Sequence, residues 1–206
     1  MSQVVAADMV YVVDDDAAIR DSLSRLLRSV GMDVACFATI ADFTQAPRPD
    51  RCACLLLDVR FQGGSGLELQ DQLNREGIAL PVIFMTGFGD IPMTVRAMKG
   101  GAVDFLSKPF REQDLLDALQ NALARDRAAR SQRNAQAGLA ACHASLTPRE
   151  RQVMELAVRG LMNKQIAGEL GTSEVTVKIH RGNAMRKMHA KTFADLVRMA
   201  EALRPA

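Results

Sequence analysis

No apolar run in this chain approaches the ~18–20 residues that a membrane-spanning helix needs. Residues Met1 to Met9 show no basic start followed by an apolar stretch, so no secretory signal is read there and a cytoplasmic address is expected. Cysteine is scarce: Cys36, Cys52, Cys54 and Cys142 are too few and too irregularly placed for a disulfide framework. Cys52 and Cys54 lie two apart beside an apolar run. One C-x-C pair lacks the partners of a zinc site, so both read as small buried hydrophobes.

What is present fits two small domains or one large one. The chain has 206 residues, 48% of them hydrophobic and 24% charged, enough for a core and against wholesale disorder. The net charge of +2 hides a division: the balance is −6 over residues 1–124, +3 over 125–145 and +5 over 146–206. An acidic front and a basic tail suggest two modules, the second facing a polyanion.

Over residues 1–124, short apolar runs recur at Met9–Val13, Asp33–Phe37, Cys54–Leu57, Val82–Met85 and Val103–Leu106. Helical stripes lie between and after them: Ile19, Leu23, Leu26, Leu27 and Val30; Leu67, Leu69 and Leu73; Ile91, Val95 and Met98; Leu115, Leu116, Leu119 and Leu123. This alternation predicts an α/β domain with a parallel sheet covered on both faces. Residues 125–145 are rich in Ala and Arg and read as a connector, helical to about Asn134, with Gly138 a candidate break and loop beyond it.

From Leu146 the pattern is all helical. Thr147-Pro148-Arg149-Glu150 forms a capping box, and Asn163 is read as the cap of a short helix ended by Gly171. Thr172 or Ser173 caps a third helix to about Met188, and a fourth spans about Thr192 to Leu203. Met162, Met185, Met188 and Met199 read as core.

The chemistry concentrates at strand ends. Asp14-Asp15-Asp16, Asp58, Thr86 and Lys108-Pro109 each follow or close a strand, and in an open parallel sheet such groups converge at one edge. Asp16 reads as a helix cap. Gathered carboxylates repel by roughly 4 kcal/mol at ~4 Å and an effective dielectric of ~20, which costs stability unless a cation or a proton relieves them. Hard oxygen donors suit Mg²⁺ (or Mn²⁺). A carboxylate beside it can accept a phosphoryl group, with a lysine and a hydroxyl steadying the phosphoryl oxygens.

Val12-Val13-Asp14-Asp15-Asp16, Leu57-Asp58-Val59-Arg60, Met85-Thr86-Gly87 and Ser107-Lys108-Pro109-Phe110 resemble the receiver domain of two-component response regulators over roughly 120 residues. The run Gly89 to Lys99 is similar to the FixJ branch. The resemblance implies a flavodoxin-like five-stranded sheet in order 2-1-3-4-5. It implies Asp58 as phosphoacceptor, with Asp15, Asp14, Asp58 and the backbone carbonyl of Arg60 holding the metal. Lys108, before a cis peptide at Pro109, would contact the phosphoryl group, and Thr86 and Phe105 would form the switch. Phe61-Gln62 replace the family's usual Met-Pro, so the loop Gln62 to Gly66 is expected to be more flexible.

Leu146 to Glu150, with Asn163 to about Lys187 read as helix–turn–helix and Thr176 to Arg181 within it, resembles the LuxR/NarL/FixJ four-helix DNA-binding domain. The run Gly160 to Gly171 is similar to styrene-catabolism regulators. Helical spacing puts Val177, His180, Ala184 and Met188 inside, His180 as a hydrogen-bonded inner residue. Val175, Lys178, Ile179 and Gly182 then face a major groove, where apolar atoms meet thymine methyls and lysine reads guanine. Thr176, Arg181 and Arg186 are placed for phosphates. The last helix is the family's dimer face.

The expected molecule is therefore a receiver (1–124), a connector (125–145) and a helix–turn–helix domain (146–206). It would be phosphorylated by a sensor histidine kinase, dimerise, bind double-stranded DNA and work with RNA polymerase, most simply as an activator. It would be no enzyme beyond self-phosphorylation and self-dephosphorylation. The competing readings are a pseudo-receiver that binds DNA without phosphorylation and an aspartate-dependent phosphohydrolase. Asp14-Asp15-Asp16-Ala17-Ala18 lacks the spacing of the latter.

Overall fold

The computed structural model describes residues 7–61, 64–87 and 90–203. The chain divides into two compact units between Arg130 and Ser131.

In the first unit, strands β1 (Met9–Val13), β2 (Asp33–Phe37), β3 (Ala53–Asp58), β6 (Val82–Thr86) and β7 (Asp104–Ser107) form one parallel sheet in order β2-β1-β3-β6-β7. Taken as the first to fifth sheet strands, this is the expected order. Every residue of β1 is buried because both faces are covered. The period of two sends Met9, Tyr11, Val13, Leu55, Leu57 and Phe84 to one face and Val10, Val12, Cys54, Leu56, Ile83 and Met85 to the other.

Helices α1 (Ala17–Ser29) and α5 (Glu112–Ala144) supply Leu23, Leu27, Leu115, Leu119 and Leu123 to the second face. Helix α3 (Gly66–Arg75) brings Leu67, Leu69 and Leu73 to the first. One helix and one hairpin went unanticipated. Helix α2 (Ile40–Gln45) starts at Thr39, whose hydroxyl accepts from the Asp42 amide, and seats Phe43 edge-on against Tyr11 and Phe37. A hairpin pairs β4 (Arg60–Phe61) with β5 (Gly64–Ser65), so Gly64 and Ser65 of the expected loop are paired; Gln62 and Gly63 lie outside the described residues, as does Gly89.

Helix α4 (Ile91–Lys99) corrects the reading of its stripe. Ile91 is 81% exposed and Val95 and Met98 are each 45% exposed, while Ala97 is the residue buried. The side chain of Gln70 in α3 donates to the Ala97 carbonyl at 3.2 Å, and Asn74 donates to Gly100 at 2.9 Å, so the α4 C-terminus is held by amides.

Helix α5 corrects the connector. It runs through Gly138, with no loop before Ala144. A single interior glycine costs a helix about 1 kcal/mol relative to alanine, too little to break a run of Ala, Arg and Gln. Near Arg130 its carboxylate Asp126, 1% exposed, accepts from the Ala53 amide at 2.9 Å and from Arg130 Nε at 2.7 Å. Arg130 also pairs with Asp50, and Arg127 with Asp8.

The second unit packs α6 (Pro148–Val158), α7 (Asn163–Leu170), α8 (Glu174–Lys187) and α9 (Phe193–Ala202) around two apolar clusters. Gly171, at φ 61°, turns α7 toward α8. Asn163 is not the cap of α7: Met162 occupies that position, and its amide donates to Gln165 Oε1 at 2.8 Å. Met162 is 69% exposed, correcting its placement in the core, whereas Met188 is buried.

Candidate functional site

In the first unit the β1, β3 and β7 ends bring Asp14, Asp58 and Lys108 together. Lys108 Nζ lies 2.6 Å from Asp14 Oδ2 and 3.3 Å from Asp58 Oδ2. Asp14 is fully buried; its Oδ1 accepts from the Asp16 amide at 3.0 Å, and its carbonyl accepts from Arg20 at 2.7 Å. Asp16 caps α1, accepting from the amides of Ala18 and Ile19. One carboxylate oxygen each of Asp14, Asp15 and Asp58 falls within a 4.8 Å set. Asp15 is exposed and Asp58 half-buried, so the set opens to solvent on one side.

Burial raises the Asp58 carboxyl above its ordinary value; Asp14 adds to this and Lys108 opposes it. The lysine bridge partly neutralises two carboxylates that would otherwise repel. Three hard oxygen donors with an open side are the donor set that a divalent ion takes.

Thr86, 1% exposed, ends β6, and its carbonyl accepts from the Lys108 amide at 2.7 Å. The Lys108–Pro109 peptide is cis, as the resemblance implied. Phe105 is half-buried on β7, its ring 6.3 Å from that of Phe84. Arg60 is exposed at the start of the hairpin. Sequence reasoning placed Gly66 in a flexible loop, but it opens α3, and its amide donates to the Val59 carbonyl at 2.9 Å. A Cβ there would lie 2.2 Å from the Asp58 carbonyl oxygen. Burial holds the Cys54 thiol well above its ordinary value and pushes Cys52 up to about 11, which suits inert, packed thiols.

In the second unit, α8 separates into two faces as its spacing predicts. Val177, Ala184 and Met188 are buried, while Val175 is 69% and Ile179 58% exposed beside exposed Lys178, Gly182 and Arg186. Nothing lies within 4 Å of a Cβ placed at Gly182, so the fold itself does not require glycine there. Thr176 is half-buried, 2.8 Å from the Ser173 hydroxyl. Arg186 reaches Asn183 at 2.6 Å. His180 is half-buried, but its Nδ1 has no hydrogen-bond partner, which corrects the bonded inner histidine. Arg181 is half-buried and engaged with Asn163 and Phe193.

Glu150 sets the C-terminal end of α8. It closes the capping box with Thr147 and accepts from Lys187 Nζ at 2.7 Å; Lys187 also reaches the Ser145 carbonyl at 3.2 Å. The Lys187 contact, with the Thr147 amide, holds the Glu150 carboxyl below its ordinary value. A depressed carboxylate contributes stability that is complete above its unfolded value, about pH 4.3, and lost as pH falls through the folded one. Glu150→Gln is therefore expected to cost the domain about 1–2 kcal/mol at neutral pH. Melting followed by circular dichroism should show that difference vanish in acid.

Among the described residues no helix is long and apolar enough to cross a membrane. Residues 10–120 match the model of the response regulator receiver domain, and residues 144–200 match that of the luxR family of bacterial regulatory proteins. The chain is 55% identical over 195 residues to Nodulation protein W of Bradyrhizobium diazoefficiens, covering 95% of this chain and 86% of that one. It is 46% identical to the response regulator protein TodT of Pseudomonas putida, covering 96% of this chain and 87% of that one. Among solved structures, the response regulator StyR matches with a TM-score of 0.88 at 50% identity, covering 95% of this chain and 99% of that one. Full-length FixJ from B. japonicum matches at 0.57 and 42% identity, covering 94% of this chain and 96% of that one. A receiver unit whose acidic crevice lies at its strand ends, followed by a helix–turn–helix unit of the luxR type, makes this chain a member of the two-component response regulators that control transcription.

Proposed function

We propose that this regulator is switched by phosphorylation of Asp58 and acts on DNA as a dimer. The observation that carries the reading is the bridge of Lys108 to both Asp14 and Asp58 beside Asp15. A carboxylate oxygen of Asp58 attacks the phosphorus of a partner kinase's phosphohistidine. The new O–P bond forms as the P–N bond breaks and the imidazole leaves. Lys108 then donates to a phosphoryl oxygen, and the Thr86 hydroxyl to another. Mg²⁺ or Mn²⁺, held by Asp14, Asp15, Asp58 and the Arg60 carbonyl, supplies charge neutralisation when bound. Small phosphodonors and water would serve the same carboxylate in self-phosphorylation and self-dephosphorylation.

Movement of Thr86 and Phe105 would bias the neighbouring face, where Ile91, Val95 and Met98 stand exposed on α4, toward a second copy. Helix α9 would pair the second units. Lys178, Ile179 and Val175 would then meet bases, with Gly182 leaving room for close approach and Thr176 and Arg186 on phosphates. The DNA-bound dimer would meet RNA polymerase as an activator in the cytoplasm.

Beryllofluoride with Mg²⁺ tests this on the full chain, with oligomeric state read by sedimentation and DNA affinity by anisotropy. Dimerisation and a gain of ~10-fold or more in affinity are expected, within the usual range of allosteric coupling. If neither quantity moves, the chain is a constitutive DNA-binding protein with an idle receiver.

A further inference from the structure

Arg181 differs from the cations on the outer face of α8. Lys178 and Arg186 are exposed there, whereas Arg181 is half-buried, as is Lys187 at the helix end, where Glu150 holds it. Its guanidinium carbon lies 4.3 Å from the centroid of the Phe193 ring, and its Nη1 donates to Asn163 Oδ1 at 3.2 Å. Asn163 opens α7 and Phe193 opens α9. Phe193 packs against both apolar clusters of this unit. One planar group on α8 therefore grips the first turns of two other helices.

We propose that Arg181 is a positioning residue: it sets the angle of α8 against α7 and α9, and it is not a phosphate ligand. This rests on α8 being the helix that enters DNA. The guanidinium suits the task because its carbon sits over the ring while one of its nitrogens donates to Asn163. Lysine offers a point charge and can do only one of these at a time. A phosphate would accept either cation, so the two roles separate by substitution.

The test uses the full-length chain and a duplex selected from a random-sequence pool by the wild-type protein. Affinity is measured between ~50 and ~200 mM salt, where the slope counts phosphate contacts. Circular dichroism at the assay temperature verifies folding. Arg181→Lys is expected to lose ~10-fold in affinity with an unchanged salt slope, a loss on the scale of one stacked cation with its hydrogen bond. Phe193→Leu is expected to lose a similar factor, and the double variant no more than either alone. Should Phe193→Leu fail to fold, Asn163→Ala carries the same comparison through the other grip. The proposal is overturned if Arg181→Lys binds as wild type, or if Arg181→Met lowers the slope by about one, the mark of a lost phosphate contact. It is also overturned if these variants melt earlier while the folded protein keeps its affinity, since the role is then structural only.

Discussion

Asp58→Asn is expected to end phosphoryl uptake. Intact-protein mass spectrometry after incubation with a small phosphodonor and Mg²⁺ should show labelling reduced ~10²-fold or more, because the nucleophile is removed and not merely weakened. Asp14 cannot substitute: it is fully buried and held by Lys108 and the Asp16 amide. Asp15 is the exposed carboxylate of the set, so persistent labelling in the variant would move the acceptor there. The same substitution should raise stability. The Asp58 carboxyl lies above its ordinary value through burial first, with Asp14 adding and Lys108 opposing. A raised carboxyl contributes stability that is complete below its unfolded value, about pH 4, and lost as pH rises through the folded one. At neutral pH the charge is thus a net cost that asparagine lacks. The variant is expected to melt above wild type at pH 7, the gap closing toward pH 4. Mg²⁺ should narrow the gap by stabilising the wild type more.

Gly66→Ala is expected to damage the same site from outside it. The added Cβ would meet the Asp58 carbonyl oxygen at 2.2 Å and Leu57 Cγ at 3.0 Å. The first obstacle is backbone at the end of a buried strand, so it cannot yield as a flexible side chain would. Overpacking of this kind costs about 1–3 kcal/mol. Relief requires the β3 terminus to shift, and a carboxylate displaced by ~1 Å loses of the order of 10²-fold in rate. Lower melting temperature and slowed labelling should appear together. Gly138→Ala is the matched control: nothing lies within 4 Å of its Cβ, and an interior helix alanine is favoured by about 1 kcal/mol. If Gly66→Ala labels at the wild-type rate, the close approach at Asp58 is irrelevant to the chemistry.

What the sequence made legible follows from the range of the forces involved. Strands β1, β3 and β6 declare themselves because two covered faces demand unbroken apolar runs, and the sheet order brings Asp14, Asp58 and, from the end of β7, Lys108 to one edge. Val175 and Ile179 stood out because apolar residues beside Lys178 on an outer face conflict with a merely solvated helix. The misreadings have the opposite origin. The α4 stripe has correct helical spacing, but spacing does not say which side meets the sheet, and compact Ala97 won that place. Asn163 looked like a cap because local chemistry favours it there, while its partner Arg181 is 18 residues away. Glu150 with Lys187 and Ala53 with Asp126 are joined across 37 and 73 residues, beyond any local pattern. The Gly66 approach left no signal either, since glycine in a loop has many causes.

The carboxylate at Asp126 also decides where the molecule can be cut. A receiver fragment ended at residue 124 would discard the acceptor of the Ala53 amide and leave that donor stranded at the foot of β3. Extended through Arg130, the fragment keeps the acceptor together with the arginine that binds it. Anyone dissecting this regulator should count the stretch of α5 from the end of the matched receiver segment through Arg130 as part of its foundation.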